Sequence, residues 1–555
     1  MGDYYIGVDV GTASVRACVV DVSGKILSVA VKGITVWNPR PDHYQQSSEE
    51  IWSAVVYTVR AVISEAKVKP ERIVGIGFDA TCSLVVLGDR FQPVTVSLDG
   101  EESQNIIMWM DHRAQKEADV ITATRHSVLK SVGGIMSLEM QPPKLKWLKQ
   151  NIPSTWQRAA HLFDLPDFLT WRATGSLSRS LCSLVCKWGF QADSDGRLCW
   201  DDDFLALIDL GDLTENNHSK LGNLQQDVGS PCGSGLSNQA AEELGLIPGT
   251  PVGTSMIDAH AGALACVGCT PVASSHKETL ADLDNRIVII AGTSTCHIIC
   301  TRTSVSVPGV WGPYYSAMVP GMWVNEGGQS VAGRLIDFVT SSHPAFSETK
   351  TKAVDRGLHE YEYLNDHLQQ MAVRNHFQTV AHLTHGFHVW PDFHGNRSPV
   401  ADASLRGMIC GLSLSATEDD LALLYLATIQ ALAYGTRHII AEMEKSGHMI
   451  STVYLCGGLR NNRLYVQTHA DVLGLPVVLP EVDQSVLLGA AMLGAFASGK
   501  FDSLQSVMLA MGGQGSVVDP DAAVSSFHEK KFQVFLEMLG DQQKYRNMMK
   551  DVLRS

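Results

Sequence analysis

The chain has 555 residues, of which 45% are hydrophobic and 18% charged, and it carries a net charge of −15. That length exceeds what one core supports and implies at least two large domains, while the hydrophobic content excludes a disordered chain. The acidic balance, without a dense Lys/Arg cluster, excludes nucleic acid and an anionic membrane as main partners and favours small metabolites. No stretch approaches the roughly 20 apolar residues of a membrane span, and Met1-Gly-Asp-Tyr-Tyr5 has no signal-like character. Scattered cysteines within apolar runs (Cys18, Cys296, Cys456) suit reduced thiols and a cytoplasmic location. Cys266 and Cys269 form a Cys-x-x-Cys without a second pair at zinc-finger spacing, so no structural metal is expected there.

Along the chain, three β-branched runs predict strands at Tyr4 to Val10, Val15 to Val22 and Ile26 to Val31. Ser47 with Glu50 makes a capping box for a helix whose apolar stripe is Ile51, Val55, Val59 and Val62, and a strand follows at Ile73 to Phe78. Three hairpin-linked strands, then helix, strand and helix, is the order of a ribonuclease-H-like α/β lobe. The second half repeats it, with strands between Val288 and Cys300 and near Met322. A long helix runs from the Thr417-Glu-Asp-Asp420 cap to Gly447, followed by strands at Thr452 to Leu455 and Leu475 to Leu479. The polar piece Thr270 to Asn285 reads as the interdomain connection between lobes 1–269 and 286–555. Gly512-Gly-Gln-Gly-Ser516 reads as a loop before a terminal helix that starts near Ser525.

Two turns carry the chemistry. In Ile6-Gly-Val-Asp-Val-Gly-Thr-Ala-Ser-Val-Arg16 a strand enters a Gly-Thr turn and a second strand leaves, and Val288-Ile-Ile-Ala-Gly-Thr-Ser-Thr295 echoes it. Glycine permits close approach of backbone to ligand, and clustered N–H groups and hydroxyls suit phosphate oxygens, so the pair is built to hold a polyphosphate between two halves. Asp9 precedes Gly11 by two residues, whereas Ile290 holds the matching place before Gly292, so the first turn alone offers a carboxylate for a hard cation such as Mg²⁺. Ordinary hairpins with a turn Asp are the plain alternative.

Asp258-Ala-His-Ala-Gly262 follows the loop Pro248 to Gly253; its carboxylate can take a proton from an attacking hydroxyl, or cap a helix, and His260 reads as structural. Gly457-Gly458 after a strand admits a flat ligand, with Asn461 either touching that ligand or capping the next helix. Asn325-Glu-Gly-Gly-Gln-Ser330 reads as a small-residue loop with groups for polyol hydroxyls. In Trp109-Met-Asp-His-Arg113 the acid can bind sugar hydroxyls, with a surface ion pair as the alternative; Lys187 can bind a substrate oxygen or lie in solvent. Gly75-Ile-Gly-Phe-Asp-Ala80 imitates a dinucleotide fingerprint, but no helix follows Asp79 and Thr81-Cys-Ser83. A P-loop, a His-Glu-x-x-His and a kinase His-Arg-Asp set are all missing from the sequence.

Taken in order, these motifs resemble the FGGY carbohydrate kinases of the actin-like ATPase superfamily, over Gly7 to about Gly499. The resemblance implies two ribonuclease-H-like lobes with an interlobe active-site cleft, ATP and Mg²⁺ as cofactors, and a sugar as substrate. Gly11, Thr12, Ser14, Arg16, Gly292 and Thr293 would bind phosphates, and Gly457, Gly458 and Asn461 adenosine. Asp9 and Asp258 would serve the metal, with Asp258 as base. Thr81-Cys-Ser-Leu-Val85 and His394-Gly-Asn-Arg-Ser-Pro399 are similar to the D-ribulokinase branch, which implies Asp111, Lys187, Glu326 and Cys82 as ketopentose contacts. The expected reaction is phosphorylation of D-ribulose to D-ribulose 5-phosphate. The alternatives are a kinase for L-ribulose, ribitol or D-xylulose, or a non-catalytic actin-like ATP-binding module. A homo-oligomer stays open.

Overall fold

The computed structural model describes residues 2–192, 197–272 and 280–552. In the first half, strands β1 (Tyr4–Val10), β2 (Ser14–Asp21) and β3 (Ile26–Gly33) form an antiparallel meander. Helix α1 (Ser48–Ala66) packs over it, and β4 (Ile73–Ala80) joins β1 in parallel. Ser47 caps α1 as expected, the Glu50 amide donating to its Oγ at 3.3 Å, but the reciprocal half of the box is missing because the Glu50 carboxylate accepts the Thr35 amide and hydroxyl instead. Its predicted stripe Ile51, Val55, Val59 and Val62 is buried, each side chain contributing about 1.5–3 kcal/mol of apolar burial. Helix α2 (Leu181–Lys187) precedes β5 (Val252–Ile257), which closes the sheet in the order β5-β4-β1-β2-β3 and leads directly into α3 (Asp258–Val267).

The second half contains β6 (Arg286–Ala291), β7 (Thr295–Thr301), β8 (Trp311–Tyr315), β9 (Trp323–Gln329), α4 (Glu418–Lys445), β10 (Thr452–Cys456), α5 (Arg463–Leu473), β11 (Val477–Pro480), α6 (Ser485–Ala497), β12 (Gln514–Val518) and α7 (Ser525–Val552). Within its eight-stranded sheet, the run β11-β10-β6-β7-β9 repeats the order and strand directions of the first sheet. The two lobes are thus copies of one α/β unit, as expected. Helix α4 begins at the predicted Thr417/Asp420 capping box and ends two residues before Gly447.

Three expectations differ from the structure, and one packing arrangement was not anticipated. After β4 the chain makes no helix but enters a second five-stranded sheet built from 37–40, 43–46, 84–87, 106–107 and 161–164, which carries Trp109 and Asp111 on its flank. Asn325 to Gln329 is strand, not loop, because Gly327 gives room to Ile439 and Gly328 to the Thr295 carbonyl and Arg397. Gln514 to Ser516 is strand too: β12 pairs with β11, and a Cβ on Gly515 would stand 2.8 Å from Cys269 Sγ. Glycine there reflects crowding rather than a turn. Finally, α6 belongs to the second half by sequence but lies on the first sheet. A Cβ on Gly7, Gly75, Gly77 or Gly253 would meet backbone of Leu487, Gly494, Ala490 or Leu493 at 2.0–2.5 Å. The false dinucleotide fingerprint is therefore a helix-packing surface. Of the expected connection 270–285, residues 273–279 lie outside the described residues; Thr270–Pro271 pairs with β12 and Leu280–Asn285 is a short 3₁₀ turn.

Candidate active site between the lobes

The two Gly-Thr turns close in similar ways: the Gly11 amide donates to the Ser14 carbonyl at 3.0 Å, and the Gly292 amide to the Ser294 carbonyl at 2.9 Å. Thr12 is braced from the neighbouring sheet, its hydroxyl accepting from Trp109 Nε1 at 3.0 Å and its carbonyl from Gln46 Nε2 at 2.9 Å. Gly292 and Thr293 carbonyls accept the amides of Gly333, Ala332 and Arg334, which start the next helix. Gly457 has φ +88°, and a Cβ there would lie 2.4 Å from the Ala291 carbonyl, so only glycine lets this loop rest on the second turn. Gly458 is open on its surface. Asn461 is exposed and the helix cap is its neighbour: Asn462 Oδ1 accepts from the Leu464 and Tyr465 amides at 3.2 and 3.4 Å. The following residue caps because Asn462, not Asn461, has the extended backbone that precedes α5.

Strand register explains why the carboxylates belong to one lobe. Asp9 faces Arg16 on β2 and Asp79 on β4; the equivalent positions of the second lobe are Ile290, Cys296 and Cys456. Arg16 Nε donates to Asp9 Oδ2 at 2.7 Å, and its other arm reaches Gln484 Oε1 at 3.2 Å, just before α6. Asp79 is fully buried, and neither of its oxygens accepts a hydrogen bond from a donor group among the described residues; the neighbouring carboxylate is Asp9. Burial, and then the neighbouring Asp9, push its pKa well above the usual carboxylate range. Asp258 is the first residue of α3, and its Oδ1 accepts the Ala259 amide at 2.7 Å. Burial, with Asp9 next, raises Asp258 to about 7 against the opposing pull of the Ala259 amide and Lys187. Three carboxylates that repel one another, one with orphaned oxygens, suit a hard divalent cation. From sequence Asp79 was read only as part of the false fingerprint; its place opposite Asp9 follows from the pairing of β4 with β1, which a local pattern does not encode.

A second cluster joins the lobes beside α3. Lys187, 3% exposed rather than in solvent, ends α2 with Nζ 3.4 Å from Glu139 Oε2 and 4.5 Å from the centre of the Trp311 ring. The other side of the cluster is Arg397, its guanidinium 4.1 Å from that same ring and paired with Glu326 Oε1. Burial alone would raise Glu326, but Arg397, Lys187 and His260 hold it down at about 2. Burial opposes the charge on Lys187, yet its pKa stands well above the usual lysine range, and the groups beside it that carry the counter-charge are the Glu139 and Glu326 carboxylates. Cys82 is 6% exposed in this neighbourhood, and burial pushes its thiol up to about 12. Asp111 is not in a surface pair: its buried carboxylate accepts Arg113 Nη2 at 2.7 Å and the Tyr44 amide at 2.6 Å. Arg397 lies in the His394–Pro399 stretch noted for its resemblance but was given no role from sequence, and Glu139 and Trp311 were not singled out, since their significance comes from convergence of segments far apart in the chain.

The sequence pattern of the N-terminal domain of the FGGY family of carbohydrate kinases matches residues 4–265, and that of the C-terminal domain residues 287–498. A human FGGY carbohydrate kinase domain-containing protein is 50% identical over 99% of this chain and 98% of its own length. A D-ribulokinase of Saccharomyces cerevisiae is 43% identical over 90% of this chain and 72% of its own. Among solved structures, a Rhodospirillum rubrum xylulose kinase (TM-score 0.78, 22% identity, 98% and 99% covered) and a Plasmodium falciparum glycerol kinase with ADP (0.75, 16%, 97% and 98%) share the two-lobed actin-like ATPase fold. Matched over both domains and along its length by close relatives, this chain belongs to the FGGY family of carbohydrate kinases.

Proposed function

We propose that the protein transfers the γ-phosphoryl group of ATP to the terminal hydroxyl of D-ribulose, giving D-ribulose 5-phosphate. The observation that carries the substrate is the 43% identity to the yeast D-ribulokinase over most of this chain. In this reading the two Gly-Thr turns hold the phosphates, Thr12 and Arg16 from one lobe and Thr293 from the other. The loop Gly457, Gly458 and Asn461 takes the adenosine. Asp258, raised to about 7, is matched to a proton-accepting role near neutral pH. A divalent cation on Asp9 and Asp258 would neutralise phosphate charge. The transition state is loose, so positioning outweighs basicity. The pentulose lies against Lys187, Glu326, Asp111 and Cys82, where Lys187 and the Glu326 carboxylate supply a donor and an acceptor. Closure of the lobes excludes water and suppresses ATP hydrolysis. Among the described residues no helix is long and apolar enough to cross a membrane.

The test is ADP release with Mg-ATP across D-ribulose, L-ribulose, D-xylulose, ribitol and glycerol, with Asp258→Asn alongside. The expected result is preference for D-ribulose, lost in Asp258→Asn while ATP binding persists. Sugar-independent ADP release would overturn the reading, and preference for another polyol would replace the substrate.

A further inference from the structure

Directly beneath the catalytic helix start, Cys182 and Cys186 lie four residues apart on one face of α2, and His260 stands on the first turn of α3. Their sulfur and ring-nitrogen atoms all fall within 4.8 Å of one another. All three side chains are buried, at 0%, 1% and 0% exposure. His260 Nε2 looks at Cys186 Sγ 3.8 Å away and at Glu326 Oε2 3.9 Å away, while Nδ1 has no hydrogen-bond partner among the described residues. Nε2, the nitrogen that faces these groups, has only a sulfur at 3.8 Å and a carboxylate oxygen at 3.9 Å, and so weakly satisfied a buried group calls for an explanation. Cys182 Sγ accepts the Ile257 amide at 3.5 Å, the kind of contact that supports a ligating thiolate. With metal–sulfur and metal–nitrogen bonds of about 2.3 and 2.0 Å, tetrahedral ligands sit about 3.5–3.8 Å apart, so small side-chain shifts close this set around one ion.

We propose that Cys182, Cys186 and His260 form a binding site for a thiophilic cation of the Zn²⁺ class, and that Glu326, whose Oε2 lies 3.9 Å from His260 Nε2 but outside the 4.8 Å set, swings in from the opposite lobe as fourth ligand. Two thiolates and an imidazole select such an ion over Mg²⁺, which prefers oxygen. Binding expels the two thiol protons to solvent and forms four coordinate bonds; Glu326 Oε1 keeps its pair with Arg397. Opening of the lobes separates β9 from α2 and α3 and admits the ion. Since Oε2 is the Glu326 oxygen not taken by Arg397, the ion and a sugar hydroxyl compete for it. This consequence rests on the sugar-site reading above, whereas the site itself does not. Zinc is therefore an inhibitor that raises the apparent KM for sugar and leaves that for ATP unchanged.

The experiment titrates the full-length, reduced, chelator-treated protein with Co²⁺ and follows thiolate-to-cobalt charge-transfer absorption. One equivalent is expected to produce the band, and Zn²⁺ to abolish it. Cys182→Ser and Cys186→Ser lose the band, whereas a Cys266→Ser/Cys269→Ser variant keeps it. Cys182→Ser retains kinase activity and loses zinc sensitivity; Cys182→Ala serves if the serine variant misfolds. Absence of a band, or a band that survives in both single variants, overturns the site. A normal band with sugar kinetics indifferent to zinc overturns the role of Glu326 alone, and neither outcome bears on whether D-ribulose is the substrate.

Discussion

Removing the Arg397 guanidinium leaves Glu326 a buried carboxylate short of its main counter-charge. Against burial, which alone would raise it, Arg397 with Lys187 and His260 brings the Glu326 pKa from 4.5 to about 2. At about 1.4 kcal/mol per unit, the surroundings favour the charged form by about 3 kcal/mol. Leaving one member of a buried pair alone costs about 3–5 kcal/mol. Arg397→Met is therefore expected to destabilise the fold by about 3 kcal/mol, and Glu326→Gln by a similar amount because the guanidinium is then the orphan. The double variant should lose less than the sum by about 2 kcal/mol, the coupling expected of contacting groups. Arg397→Lys should fall between, since an ammonium keeps the charge but not the flat contact with Trp311 at 4.1 Å. Urea unfolding, followed by tryptophan fluorescence, measures each corner of the cycle. Losses that add to within about 0.5 kcal/mol would refute the pair as the element holding this part of the cleft.

Three further expectations follow from the packing. Gly77→Ala sets a Cβ 2.0 Å from the Ala490 carbonyl and must push α6 off the first sheet, costing about 1–3 kcal/mol or more; an unchanged melting temperature would contradict the close contact. Gly457→Ala combines a disfavoured φ with a clash on Ala291, so nucleotide affinity measured by calorimetry should fall while sugar affinity holds. Asp167 is raised to about 7, burial outweighing Arg179 and the Ser180 amide. The folded state then keeps a proton that the unfolded chain releases near pH 4, so this contribution is complete below about pH 4 and is lost as pH rises to 7, by up to about 1.4 kcal/mol per unit. Thermal unfolding between pH 5 and 7.5 should show a flatter profile for Asp167→Asn than for the parent; identical slopes would sink the assignment.

Local sequence determined much of this protein. Alternating β-branched runs broken by Gly-Thr set the two hairpins, since strand period and turn chemistry act over a few residues. The Ser47 and Thr417 caps placed α1 and α4 for the same reason. Asp9 was legible because it precedes a turn glycine at the end of a strand, and Asp258 because it stands among small residues after a Gly- and Pro-rich loop. What only the tertiary structure decided is where distant segments meet. The Gly75 and Gly77 pair marks a helix-packing surface because α6, four hundred residues later, presses its backbone there. Gly327 and Gly515 lie in strands because their neighbours leave no room for a side chain, a demand invisible in a Gly-rich string. Asp79 became a member of the carboxylate group through strand register, and Arg397, Trp311 and Glu139 surround Lys187 and Glu326 through the meeting of two lobes. Charge partners and steric limits arise from three-dimensional proximity, which short-range patterns along a chain do not encode.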